Sequence, residues 1–169
     1  AYSKAAAILQ PLHGGYTVQV SGQGGGVVLV EGFDAGSGTS SRLVNLSARN
    51  RSGVGGDVLI AGFNVAGTGT IRVLVRGIGP ALAAYGVPGT LVDPKLEIFS
   101  SSGTRIADND NWASELATTF TSVGAFGFSP NSKDAATVLT LEAGRSYTVQ
   151  VSGANSGTGE AMIEVYEVP

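Results

Sequence analysis

The seven residues Tyr16-Thr-Val-Gln-Val-Ser-Gly22 occur again as Tyr147-Thr-Val-Gln-Val-Ser-Gly153, and this repetition constrains the fold more than any other feature of the chain. The match spreads outward from both copies. Ser3-Lys4-Ala5-Ala6-Ala7 answers Ser132-Lys133-Asp134-Ala135-Ala136, and Val28-Leu29-Val30-Glu31-Gly32-Phe33 answers Ala161-Met162-Ile163-Glu164-Val165-Tyr166, so residues 1–34 repeat residues 132–169. Within each copy Tyr, Val and Val alternate with Thr, Gln and Ser, which is the period of a strand with one buried and one wet face. Two or three such strands are marginal alone in water and need a sheet to join, in their own subunit or in another.

Between the copies the chain is punctuated by glycine at close spacing. Asp34 to Ser41 holds no apolar residue larger than alanine and reads as a linker, which places a boundary at 35–41 between N-terminal strands at 1–34 and a module at 42–169. Strands are expected around Val44–Ala48, Val58–Phe63, Ile71–Val75, Leu96–Phe99, Arg105–Ala107, Ala135–Leu141, Tyr147–Ser152 and Met162–Tyr166. One helix is expected near 111–120, where Trp112, Leu116 and Phe120 recur at i, i+4 and i+8 with Asp110 or Asn111 as N-cap. Short strands closely spaced predict an all-β, antiparallel sandwich. The 26 glycines and a charged fraction of only 14% fit that class better than a helical or disordered one.

The same composition narrows function. A net charge of −3 with ten Lys plus Arg scattered singly offers no basic stripe for nucleic acid and no basic amphipathic face for lipid. No run approaches the ~20 apolar residues of a membrane-spanning helix. Without cysteine there is neither a disulfide framework nor a thiolate metal site. The chain starts at Ala1 without a basic-then-apolar segment and reads as a processed mature protein or an excised piece, and its Lys-poor, Gly/Ser/Thr-rich makeup suits a secreted product.

Catalytic motifs are missing. His13 is the only histidine and stands in a Gly-flanked turn, so neither a Ser-His-Asp arrangement nor a histidine zinc site can be assembled, and the chain reads as no enzyme. Gly77-Ile-Gly79-Pro-Ala-Leu82 imitates the start of a dinucleotide fingerprint, but Leu82 replaces the third glycine and Pro80 removes a donor N–H. Asp108, Asn109 and Asp110, followed by Asn111, gather oxygen ligands of the type Ca²⁺ takes, with Asp93 and Glu97 as further candidates. Trp112 stands where the next ligand belongs, and an Asx turn with helix N-cap accounts for the same residues. Ca²⁺ is the one cofactor the sequence offers. Asn45-Leu-Ser47 and Asn50-Arg-Ser52 are glycosylation acceptor triplets.

The stretch Val92-Asp-Pro-Lys-Leu-Glu-Ile-Phe-Ser-Ser-Ser-Gly-Thr-Arg-Ile-Ala-Asp-Asn-Asp-Asn-Trp112, with Leu141-Glu-Ala-Gly-Arg-Ser-Tyr-Thr-Val-Gln-Val-Ser-Gly153, resembles the bacterial pre-peptidase C-terminal type of domain. Residues 42–167 are similar to a repeat of large secreted proteins of environmental bacteria, through Leu43-Val-Asn-Leu-Ser-Ala-Arg49, Val73-Leu-Val-Arg-Gly-Ile-Gly-Pro80, Leu91-Val-Asp-Pro94, Asn109-Asp-Asn-Trp112 and Glu164-Val-Tyr166. The resemblance implies a jelly-roll sandwich, an extracellular or cell-surface location, and a non-catalytic structural or adhesive role with no active site to carry over.

Two functional expectations follow. In the first, the N-terminal strands, through Tyr16, Val18, Val20, Val28, Val30 and Phe33, add to the sheet edge of a neighbouring copy, so that identical subunits join head to tail into a filament. In the second, the chain is an accessory module binding carbohydrate or a cell-surface partner through an aromatic platform, for which Tyr85, Phe126 and Phe128 are the candidates. A related expectation is that the chain is a slice of a tandem array, one module preceded by the closing strands of its predecessor.

Overall fold

A computed structural model describes residues 5–34 and 42–169; the linker expected at 35–41 lies outside the described residues. The chain divides into two compact units, Ala1–Arg42 and Leu43–Pro169.

The second unit is an eight-stranded antiparallel sandwich. Its strands are β1 (Asn45–Ser52), β2 (Leu59–Val65), β3 (Thr70–Ile78), β4 (Pro94–Ser100), β5 (Arg105–Asn109), β6 (Ala135–Glu142), β7 (Arg145–Gly153) and β8 (Gly159–Glu167). One sheet has the order β1-β8-β3-β6 and the other β2-β7-β4-β5. β1 pairs with β8, β2 with β7, β3 with β6 and β4 with β5, all antiparallel, so the chain is a long two-stranded ribbon rolled up on itself. That wrapping is the jelly roll. β8 also pairs with β3 and β7 with β4, which places β7 and β8 at the interior of their sheets.

Alternation along the strands sends one face inward. Leu59 and Ala61 of β2, Val73 and Val75 of β3, Leu96 and Ile98 of β4, Tyr147, Val149 and Val151 of β7, and Ala161 and Ile163 of β8 form the core between the sheets. β3 is buried on both faces, because a second cluster covers the outer face of the β1-β8-β3-β6 sheet. There Leu74, Ile78 and Ala136 pack beneath Phe120 and Phe128, with Trp112, Met162 and Tyr166 at the margin. The segment that supplies the aromatics contains the only α-helix among the described residues, α1 (Ala117–Ser122), entered through a single 3₁₀ turn at Ser114–Leu116. Neither Asp110 nor Asn111 caps it: the helix starts later than the apolar spacing suggests and has no side-chain cap at all. Trp112 nonetheless stacks on Phe120, ring centroids 5.5 Å apart, from outside the helix.

Residues 5–34 contain no strand, where the sequence anticipates strands at 16–21 and 27–33. Every described residue of this segment is exposed, and the chain bends at Gly14 and Gly24, both at positive φ. The sandwich supplies the reason. Residues 3–33 repeat the sequence of β6, β7 and β8, and in the sandwich none of those three strands pairs with another of the three; their partners are β1, β2, β3 and β4. A second copy of β6–β8 therefore has no ladder to form with itself.

Candidate functional site

The donor residues named from the sequence are laid open. Val18 is 72% exposed and Val20 52%, against zero for their twins Val149 and Val151. Tyr16, Val28, Val30 and Phe33 are likewise exposed, together with Ile8, Leu9, Val27 and Leu29. A run of apolar side chains of this size facing water marks an interaction surface more often than an ordinary monomer surface. The hydroxyl of Tyr16 accepts from the His13 N–H at 3.2 Å, which settles the histidine turn locally.

The sandwich has two ends where its sheets stop. At one, β5 is five residues long and its pairing with β4 shifts register between Ile98 and Phe99, a bulge that breaks the edge. The adjoining edge of β6 is occupied: Ala136 N–H donates to Asn109 Oδ1 at 2.9 Å, and Trp112 N–H donates to the Asp134 carbonyl at 2.9 Å. At the other end, β1 and β2 are eight and seven residues long and each has a strand on one side only. Leu43, Val44, Val54 and Ile60 are exposed there.

The residues considered for Ca²⁺ do not converge. Strand alternation in β5 sends Asp108 and Asn109 to opposite sides, and the Asn109 carboxamide oxygen caps β6, while Asp110 lies beyond the end of the strand. Asp110 accepts from Asn111 Nδ2, Asp93 stands 3.8 Å from Lys133, and Glu97 takes Lys95 and Arg105. The hydrogen bond from Arg105 holds the Glu97 carboxyl below its usual range. Among the described residues no three His, Asp or Glu side chains gather as a metal ligand set.

The glycine turn at 77–82 is filled from within. Gly79 N–H donates to Asp134 Oδ1 at 2.8 Å and Ala81 N–H to the same carboxylate, which also accepts from Ser132, and the aspartate is fully buried. The anion that such a turn would hold is the protein's own. Gly79 must be glycine, since a Cβ there would lie 2.1 Å from the Leu91 carbonyl oxygen.

A charged pair on the outer face of the β1-β8-β3-β6 sheet is buried. Arg76 has no exposed surface, and its Nε lies 3.2 Å from Glu164 Oε2. The two atoms face each other as charges rather than as an aligned hydrogen bond. Arg76 Nη1 donates to the Phe126 carbonyl at 2.8 Å, and the guanidinium carbon sits 4.5, 4.4 and 4.2 Å from the ring centroids of Phe120, Phe126 and Phe128. Tyr166 donates to Glu164 Oε1 at 3.0 Å. Burial raises the Glu164 carboxyl above its usual range, and burial with the neighbouring carboxylate pushes the Tyr166 phenol up to about 12. Three rings and a guanidinium stacked in this way hold the 112–128 segment to the sheet. Phe126 and Phe128 are thus committed to Arg76, and of the expected aromatic platform Tyr85 alone is exposed, its ring 4.9 Å from that of Phe126.

A recess of about 180 Å³ beside the β1–β2 turn is lined by Gly53, Val54, Gly55, Val58, Ser152, Gly153 and Ser156, none of them ionisable. No described helix is long and apolar enough to cross a membrane.

No family model and no curated protein matches the chain. Among solved structures it is similar to a family GH115 4-O-methyl-α-glucuronidase with specificity for decorated arabinogalactans, at 14% identity and a TM-score of 0.34. The match covers 73% of this chain and 14% of that one.

Proposed function

We propose that the protein is a non-catalytic extracellular structural subunit that assembles with copies of itself by β-strand addition, residues 5–34 being the donor. The observation that carries this reading is the contrast between the two copies of one sequence: the copy at 147–153 is an interior strand, and the copy at 16–22 exposes the same apolar side chains. Joining an open sheet edge would satisfy its backbone and cover those side chains in one step. A donor at one end of a chain and an acceptor elsewhere make a heterologous contact, which repeats into a filament where the rotation does not close. The extracellular location rests on the composition and on the resemblance to secreted repeat modules.

Sizing of the purified protein with and without residues 1–34, over rising concentration, tests the reading. The full chain is expected to form large assemblies visible by negative-stain microscopy and the shortened chain to stay monomeric. A full chain that remains monomeric at high concentration overturns it.

A further inference from the structure

The geometry points to one acceptor for the donor segment: the β1/β2 end of a second copy of this chain, with residues 16–21 added beside β2 and residues 27–33 added beside β1. This rests on the assembly reading above and names its surface.

The donor copies β7 and β8, two strands that lie in opposite sheets and are joined across the sandwich. Of these, β7 pairs antiparallel with β2 and β8 antiparallel with β1. A second β7–β8 arch shifted by two strand spacings, about 9.5 Å, passes to the far side of β2 and β1 and remains antiparallel to both. It lengthens both sheets together and keeps the same face inward, so Tyr16, Val18, Val20, Val28 and Val30 continue the core. The outward face agrees in charge. Ser47 of β1 donates to Glu164 at 3.5 Å on the outer face of the sheet, so the twin of Glu164, Glu31, falls on the face that carries Arg49 and Arg51 of β1.

The competing acceptors are disfavoured. The β5/β6 end is bulged and capped as described. Exchange into the interior, with the donor replacing β6–β8 of the second copy, gains nothing: each chain has one β1–β5 frame and two closing sets, so one set per chain stays uncovered whichever is docked. The donor also carries Ala5 where the resident set carries Asp134, and would leave the Gly79 and Ala81 N–H groups without their carboxylate.

The absence of cysteine allows a clean disulfide test with full-length chains. Gln19→Cys, with Thr17→Cys and Ser21→Cys to cover a register slip, is mixed with a size-tagged chain carrying Ile60→Cys on β2 or Ile106→Cys on β5. All these positions are exposed, and circular dichroism checks folding. The expected result is a reducible heterodimer with Ile60→Cys and none with Ile106→Cys. Assemblies that form normally but cross-link at 106, or at neither position, overturn the acceptor while the assembly reading stands. A chain that neither assembles nor cross-links overturns both. A Gln19→Cys/Ile60→Cys double variant that closes its disulfide within a monomer shows a fold-back and overturns the second copy as occupant.

Discussion

Seven identical residues stand at 16–22 and at 147–153, and one set is an interior strand while the other is no strand at all. Their side-chain alternation is the same, so their intrinsic fitness for a pleated surface is the same. What separates them is what lies alongside. The second copy has β2 on one side and β4 on the other, with Tyr147, Val149 and Val151 buried against the facing sheet. The comparison shows that amphipathic alternation supplies the capacity to be a strand, and that a partner edge turns this capacity into structure.

The comparison can be broken most forcefully at the acidic twins. Glu164→Ala leaves the Arg76 guanidinium buried without its counter-charge, and about 3–5 kcal/mol of sandwich stability is expected to be lost; Glu31→Ala, on an exposed residue, should change stability by less than about 0.5 kcal/mol. Chemical denaturation of the two variants measures both. Equal losses would mean that the N-terminal segment is already docked in the isolated chain. Next come the valine twins: Val149→Ala should cost about 2 kcal/mol through lost burial and a cavity, and Val18→Ala should leave the monomer unchanged while weakening assembly.

A smaller difference separates the tyrosines. Tyr147 Oη accepts from the Glu142 N–H at 3.0 Å and donates to the Glu142 carbonyl at 3.1 Å. Tyr147→Phe orphans both groups and should cost about 1–2 kcal/mol, whereas Tyr16→Phe should have no measurable effect on melting.

An effect confined to alkaline pH is expected at Tyr166, whose twin is Phe33. The folded state raises the Tyr166 phenol from 10.0 to about 12. Its folded pKa exceeds its unfolded one, so the stability it contributes is complete below pH 10 and falls as pH rises from 10 through 12. Tyr166→Phe should flatten the loss of stability over that window, followed by thermal melts at stepped alkaline pH; an unchanged slope would show that the phenol titrates alike in both states.

Eight strands, their turns and the inward face of most of them were legible from alternation and glycine spacing, because those signals are local. The burial of Arg76 was not. Alternation along β3 places Arg76 on the outer face between Leu74 and Ile78, and only the three-dimensional return of Phe120, Phe126 and Phe128 encloses its charge. The helix cap at Asp110 or Asn111 failed because Trp112 N–H is drawn to the Asp134 carbonyl and Asn109 is turned to β6, which holds this stretch off the helix axis. The alternation of β5, which runs on to Asn109, parts Asp108 from Asn109, and Asp110 follows after the strand has ended.

By itself the sequence determined that the chain spells its closing strands twice and everything between them once. Tertiary structure alone decided that those closing strands never pair with one another, because the rolled ribbon sends β6, β7 and β8 to partners among β1–β4. Pairing between distant strands depends on how the ribbon wraps, which no local pattern encodes, and that wrapping is why one copy is core and its twin is exposed.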